Sequence, residues 1–475
     1  MLGKQDGRKD FFDGYVEQRL LPKEHELLDI DKQIDFSFVE EEVKDLYCAD
    51  NGRPCYPPEQ MFRILLSDVE VIKQLQVNIL FRRFVGLSLE DPVPDESSLS
   101  VFRDRLGEER FQRLFAGLVR QCKEQGLLGQ RLKLMDATHI IADVAVPSTI
   151  NLLRDGRRRV LKRIEERRGR QEDLEAFRPD GRTHLRYSKE QLAEEVDKTR
   201  GLVVKVKGTY PEAEEEIALL EEVVNPKGKR TLVSLVDPDA RFGHKTPNKS
   251  FAGYKAHVVE DSTSELVTSV EVLPGNANEG KHERTKRLLE KEEQQGLHHE
   301  AVAADSLYDN KDNYELAERL QMTAYIPGRR EGRRAQDFDY CNETDQLICP
   351  RGKRSIGKAR SQKGSLYYFS TTECGQCERE RCYRDKKGRV RVYLSDGEKA
   401  RRMIPKEGME QAVLERKKVE RKFGQAKRHH HLGKARYRGR WRVAIQTLMT
   451  FFVINAKRMV KLLREGSQRV FLAPG

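Results

Sequence analysis

Arg131-Leu-Lys-Leu-Met-Asp136-Ala-Thr-His-Ile140-Ile-Ala-Asp-Val-Ala-Val146 is the stretch on which the architecture turns. Upstream of it apolar residues recur at helical intervals, and from Arg131 the period becomes two. Leu132 and Leu134, then Ile140 and Ile141 with Val144 and Val146, read as two adjacent strands, and Asp136 closes the first of them. Further strands follow. Tyr254–Val259 and Leu266–Leu273, separated by the turn Glu260-Asp-Ser-Thr-Ser264, form a hairpin; Ala301–Ala304 ends at Asp305, and Thr323–Ile326 comes after it. Helices Lys281–Lys291 and Lys311–Leu320 lie between these last segments. A hairpin followed by strand–helix–strand describes an α/β fold with a mixed sheet and helices on its faces.

The flanks of this sheet are helical. Pro57 and Pro58 introduce Glu59–Val71, where Met61, Ile64, Leu65 and Leu66 recur at helical spacing, and Lys73–Phe84 follows with Leu75, Ile79 and Leu80. The loop Glu90–Glu96 leads into Ser97-Ser-Leu-Ser-Val-Phe-Arg103, a capped helix start with basic residues on its outward turn. Short helices with outward arginines suit a helix-turn-helix-like module, and equally a helical dimerisation or packing domain. Residues 152–224 are highly charged and helical in pattern (Leu161, Ile164, Leu192, Ile217, Leu219, Leu220), an accessory arm interrupting the strands. Val443–Ala456 is apolar but too short, and too interrupted by Gln446, Thr447, Thr450 and Asn455, to span a bilayer; it reads as a buried helix.

A chain of 475 residues is long enough for two to four domains. Its 89 Lys and Arg outnumber 77 Asp and Glu, and the surplus is local: Arg401 to Arg442 holds fifteen basic residues against Glu407, Glu410, Glu415 and Glu420. That concentration marks a polyanion-binding surface, with nucleic acid ranked above membrane lipid. The first residues carry no apolar run of a signal peptide, so the expected setting is cytoplasmic and nucleoid-associated, with reduced cysteines. Cys349-Pro-Arg-Gly-Lys353 resembles a ribbon knuckle, Cys374-Gly-Gln-Cys377 is a C-x2-C pair, and Cys382 lies close behind. Cys349, Cys374, Cys377 and Cys382 could therefore close a tetrahedral thiolate site for structural Zn²⁺, with Cys341 a fifth candidate and free thiols the alternative. His429-His-His431 reads as a solvated or phosphate-facing run.

The late basic stretch holds a helix, Val413–Arg428. At 100° per residue, Ala412, Val419, Phe423 and Ala426 form an apolar stripe and Lys417, Lys418, Arg421, Lys422 and Arg428 spread over the opposite side. Arg416, Glu420 and Lys427 fall on the seam. There Glu420 is half sheltered by the core and faces whatever polyanion the basic side attracts; the plain alternative is one acid offsetting surface charge. Asp136, Asp305 and Glu420 are thus three carboxylates on separate elements. Phosphodiester chemistry by two metal ions about 3.5–4 Å apart needs that kind of convergence, and oxygen ligands suit Mg²⁺, with Mn²⁺ the other candidate.

Several motifs carry a family resemblance: Met135-Asp-Ala-Thr138, Asp237-Pro-Asp-Ala-Arg241, Gly253-Tyr-Lys-Ala-His257, Ala304-Asp-Ser-Leu-Tyr-Asp309, and Arg416-x3-Glu420-x6-Lys427. They resemble the bacterial insertion-sequence DDE transposases, and within them a subgroup with a cysteine-bearing insertion before the catalytic Glu. Pro94 to Arg103 resembles that family's N-terminal domain. The resemblance implies a ribonuclease-H-like core at 129–330 and 401–465. Before it comes an all-α DNA-binding domain at 1–128, and within it lie the helical arm at 152–224 and a zinc-ribbon-like insertion at 331–400. It further implies Mg²⁺-dependent strand cleavage and strand transfer on double-stranded DNA, at terminal inverted repeats and target, with a homodimer in the DNA complex. Asp136, Asp305 and Glu420 would hold the ions, Arg416 and Lys427 the flanking phosphates, and Lys417, Arg421 and Arg428 the backbone farther out. Val413 stands where the family motif has Tyr, a change that touches a DNA contact and not the metal chemistry. A hydrolytic nuclease on the same fold and a domesticated DNA-binding protein are the competing readings.

Overall fold

The computed structural model describes residues 11–48, 55–66, 71–182, 186–225, 229–246, 248–328, 337–375, 377, 382 and 389–471; part of the helix expected at 59–71 lies outside them. At its centre β1 (Leu132–Ile141) is a single ten-residue strand. Two strands were expected here, the first closed by Asp136. The ladder instead runs straight through, because β3 (Lys249–Asp261) stays paired along the whole of β1, from Lys133 opposite Asp261 to Ile141 opposite Gly253. Asp136 therefore sits in mid-strand, and Val144 and Val146 lie beyond the strand.

Around β1 and β3 are β2 (Arg241–Thr246), β4 (Val267–Pro274), β5 (Ala301–Ala303) and β6 (Thr323–Tyr325). The lateral order is β4-β3-β1-β5-β6, with β2 paired to the start of β3. β4, β3 and β1 are antiparallel neighbours, while β5 and β6 run parallel to β1. This is the expected mixed sheet.

Helices α1 (Phe11–Arg19), α2 (Glu26–Gln33), α3 (Phe38–Val43), α4 (Pro58–Leu65), α5 (Val71–Val77), α6 (Ile79–Val85) and α7 (Glu96–Glu124) precede the sheet. The charged arm is α8 (Thr149–Arg168), α9 (Lys189–Val206) and α10 (Glu214–Val224), with its own small core around Val160, Ile164, Leu202, Ile217 and Leu220. α11 (His282–Gln294) precedes β5 and α12 (Lys311–Arg319) precedes β6. The cysteine region holds β7 (Asp339–Cys341), β8 (Gln346–Ile348), β9 (Gly357–Ser361), β10 (Gly364–Tyr368), α13 (Thr371–Gly375) and β11 (Arg391–Ser395), as a two-stranded and a three-stranded sheet. α14 (Asp396–Arg402), α15 (Lys406–Glu415), α16 (Lys417–His429) and α17 (Arg440–Phe471) complete the chain.

Period two along the strands sorts the cores. Leu132, Leu134, Ala256, Val258, Ala301 and Ala303 join one cluster with α7, α16 and α17; their neighbours Met135, Val259, Val302 and Ala304 join another with Leu288 and Leu289 of α11 and Leu316 and Ala317 of α12. Alternate residues of a strand face opposite ways, so helices cover both faces of the sheet. The first cluster continues into the N-terminal helices, where Phe62 meets Phe452 of α17 edge-on at 5.2 Å. α17 is the buried helix expected from Val443–Ala456, extended at both ends to 32 residues. Its segment Arg440–Gly466 is long and apolar enough to cross a membrane, but 78% of its most apolar window is buried inside the protein.

Arginines expected to face outward on the N-terminal helices are largely engaged internally. Arg82 is buried and donates to the carbonyls of Leu75, Ser88, Leu89 and Asp91; Arg103 donates to Tyr437 Oη at 2.7 Å and stacks on that ring.

Candidate active site

Parallel register brings two of the three acids together. Leu134 of β1 lies opposite Ala303 of β5, so Asp136 and Asp305, each two residues further on, stand at one level on adjacent chains and on the face that carries α16. Asp136 accepts the Ala137 amide at 2.8 Å and Arg416 Nη2 at 3.3 Å. Burial pushes its carboxyl up to about 6 against the pull of Arg416, and the negative charge of Asp305 adds to the rise. Asp305 caps a short 3-10 turn (Ser306–Tyr308) by accepting the Leu307 amide at 2.8 Å.

α16 runs beside β1 past the end of β5. At its start Arg416 reaches Asp136; at its end Lys427 stands near enough to His139 to hold that imidazole below its ordinary value, after burial; and just beyond, Ile141 and the segment Gly433–Ala435 exchange backbone hydrogen bonds. The strip of sheet surface from Asp136 to Ile141 is thus bordered by α16, on which Glu420 shares the side of Arg416 and Lys427. Three features differ from expectation. The helix read as Val413–Arg428 is two helices, α15 and α16, meeting at Arg416. Glu420 is exposed rather than half sheltered. Lys422 points inward against Glu260 of β3, and Lys418 donates to the Ser262 carbonyl at 2.8 Å, so neither joins the open basic side. Lys417, Arg421 and Arg428 do remain exposed. Among the described residues no group of three His, Cys, Asp or Glu is close enough to hold a metal ion. Glu420 thus stands apart from the two aspartates, and the four cysteines do not form a closed set.

Other motif residues have structural partners that sequence reasoning had not assigned. Beneath the acids, on the opposite face, Tyr308 Oη meets His257 Nε2 at 2.8 Å in a fully buried pair, and burial drives the His257 imidazole down to about 3, keeping it neutral. Asp237 accepts the Tyr254 hydroxyl at 2.5 Å and the Gly439 amide at 3.1 Å, and Asp239 accepts the Arg440 amide at 2.9 Å. Two carboxylates thereby cap the start of α17, where unpaired amides favour negative charge. The signal was present as Asp-x-Asp before an apolar helix, but about two hundred residues separate cap from helix.

Residues 15–105 match the family described as a transposase domain (DUF772), and residues 348–460 match the transposase DDE domain family. Both matched segments are transposase domains, the second of them a DDE domain. No curated protein and no solved structure matches it. The DDE match begins at Ile348 and covers the rest of the cysteine region, α14, α15, α16 and most of α17, so Glu420, Arg416 and Lys427 lie inside the matched segment, whereas Asp136 and Asp305 lie before it.

Proposed function

We propose that this transposase cleaves DNA at the terminal inverted repeats of an insertion sequence and joins the ends to a target, on a ribonuclease-H-like core. The observation that carries this is the nearness of Asp136 in β1 and Asp305 just past the end of the parallel neighbour β5, close enough that the charge of Asp305 is felt at Asp136, with the Glu420 helix packed beside β1. Three antiparallel strands continued by two parallel ones support the assignment of the core. The donor set fits a divalent ion: hard carboxylate oxygens, one of them buried beside a like charge, are what Mg²⁺ or Mn²⁺ takes together with substrate phosphate and water. Asp136 and Asp305 would hold such an ion, with Glu420 completing the set, and it would lower the pKa of the attacking hydroxyl and accept charge on the leaving oxygen. Arg416 offsets the charge of Asp136 and aims it. Lys417, Arg421 and Arg428, on the open side of α16, contact the backbone without reading bases.

The test uses a supercoiled plasmid carrying the gene with its native flanks, incubated with Mg²⁺. Joined products support the transposase; nicks without joining favour a hydrolytic nuclease, and binding without cutting favours a DNA-binding relic. Asp136→Asn, Asp305→Asn and Glu420→Gln should each lower cleavage about 10³-fold, the scale of losing a group that stabilises transition-state charge, with gel-shift affinity retained. Wild-type cutting by any one of them removes that residue from the set.

We further infer that Cys349, Cys374, Cys377 and Cys382 hold a structural zinc ion. Two tight turns present the first three: Cys349 bonds to Lys353 and Gly352 through the backbone, the Cys377 amide donates to Cys374, and Lys353 pairs with Glu373 at 2.8 Å across the turns. Cys349, Cys374 and Cys382 pack on one small core of Phe338, Leu347, Tyr367, Phe369, Val390, Val392 and Leu394, too few residues to hold two short sheets alone. Elemental analysis should find one zinc per chain, lost in Cys374→Ser/Cys377→Ser together with protease resistance around 338–393. Zinc-free wild type rules the site out.

A further inference from the structure

Beyond the acids, the β2–β3 hairpin leaves the sheet. Lys249 to Phe251 pair with β2 alone, whereas β1 and β4 engage β3 only from Gly253 and Tyr254 onward. The root is fixed by close backbone approach. A Cβ on Gly243 would strike the Gly275 carbonyl, and one on Gly253, whose φ is 152°, would strike the Ile140 carbonyl.

At the outer end the ladder slips. His244 faces Ser250 and Thr246 faces Lys249, so Lys245 is the extra residue of a bulge, the device by which strands re-aim a side chain. Its charge is felt by both His139 of β1 and Lys427 of α16, which places the three together at the far end of the strip that begins at Asp136. His139 packs against the ring of Phe251 with centroids 5.2 Å apart. No acid occurs from Phe242 to Ala256, and the influences on half-buried Lys427, whose ammonium falls to about 8, are burial and Lys245, with no carboxylate among them. Two cations set side by side without an acid raise each other's cost, and the arrangement is stabilised when an anion sits between them.

We propose that the β2–β3 hairpin is a DNA clasp: Lys245 on its bulge and Lys427 on α16 close on one backbone phosphate of the strand passing the acid pair, while Lys249 reaches the next and the His139–Phe251 pair supports the sugar between. The proposal rests on the active-site reading only for which strand is held. Phosphate chemistry alone defines the contact, so it is independent of base sequence.

The experiment is a salt titration of the full-length protein on a fluorescently labelled random-sequence duplex. Lys245→Ala should shrink the slope of log K against log salt by about 0.9, and Lys245→Ala/Lys249→Ala by about 1.8, one condensed counterion per lost contact. Lys245→Arg should restore the wild-type slope. Both alanine sites are exposed, and matched thermal melts exclude a folding defect. Wild-type slopes in both alanine variants overturn the clasp. Asp136→Asn, run on the plasmid substrate in parallel, separates the two ideas: cutting by Asp136→Asn sinks the active site and leaves the clasp standing, while normal slopes beside an inactive Asp136→Asn sink the clasp alone.

Discussion

The helical arm and the acid strip both hold charges out of water, and they treat them in opposite ways. In the arm, buried Arg157 has a partner for each nitrogen: the Phe177 carbonyl at 3.0 Å, the Glu195 carbonyl at 3.1 Å, Thr199 Oγ1 at 2.8 Å and Glu195 Oε2 at 2.6 Å. Arg154 closes on the other oxygen of Glu195 at 2.7 Å. On the strip, Asp136 has one backbone amide and one guanidinium at 3.3 Å, stands near a second carboxylate, and is pushed toward neutrality; Lys427 has another cation for company. A charge whose partners are all supplied by the fold belongs to the fold. One that the fold leaves short of partners is waiting for a ligand to supply them.

The largest effect should follow from breaking the satisfied network. Arg157→Ala leaves buried Glu195 with Arg154 alone and opens a cavity in the arm's core, a loss of about 3–5 kcal/mol. Hydrogen exchange should show α8 and α9 opening while β1 keeps its protection. Loss of protection in β1 as well would mean the arm and the sheet form one cooperative unit.

The same logic reverses at Asp136. Its carboxyl is raised from 3.8 to about 6 in the folded chain, so the folded state holds a proton that the unfolded state has released, and stability falls as pH rises between those values. Asp136→Asn removes that window. In chelator at pH 8 the variant should be more stable by about 1–3 kcal/mol, an upper bound of roughly 1.36 kcal/mol per pKa unit, while its cleavage is lost. Denaturant melts at pH 5 and pH 8 measure it; equal destabilisation at both would show that Arg416 fully satisfies the carboxylate and that the contrast with Arg157 fails.

What was readable beforehand follows the range of the interactions involved. The hairpin β3–β4, the short strands before Asp305 and after α12, and the arm were legible because apolar period and turn residues are local. Continuation of β1 through Asp136-Ala-Thr-His139 was not, since it depends on pairing with β3 more than a hundred residues away. Neither Gly nor Pro marks the break at Arg416, so the wheel drawn over 413–428 ran across two helices. The acids were read as residue types at strand ends and on a helix, and Asp136 stands in mid-strand instead. Lys245 went unread because a bulge is a property of register, which one strand alone does not define.

The smallest effect tests whether every short-partnered charge is functional. Glu260 is buried under α16 with neither oxygen hydrogen-bonded, raised by burial to about 7 even with Lys422 beside it, and burial lowers Lys422 against the pull of Glu260. By the contrast drawn above it would be a ligand site, yet it faces the core cluster and no other acid of the strip. Replacing a buried ion pair by neutral residues of similar size is often neutral or stabilising. Glu260→Gln/Lys422→Met should therefore gain about 1 kcal/mol at pH 8. Its sign is fixed by the raised pKa: the wild type loses stability as pH climbs from 4.5 to about 7, and the double variant loses less over that range. Cleavage should stay within about threefold of wild type, a barrier change of less than 1 kcal/mol. A large loss of cleavage with unchanged stability would make Glu260 part of the active strip, and short-partnered charges would then mark function on both sides of α16.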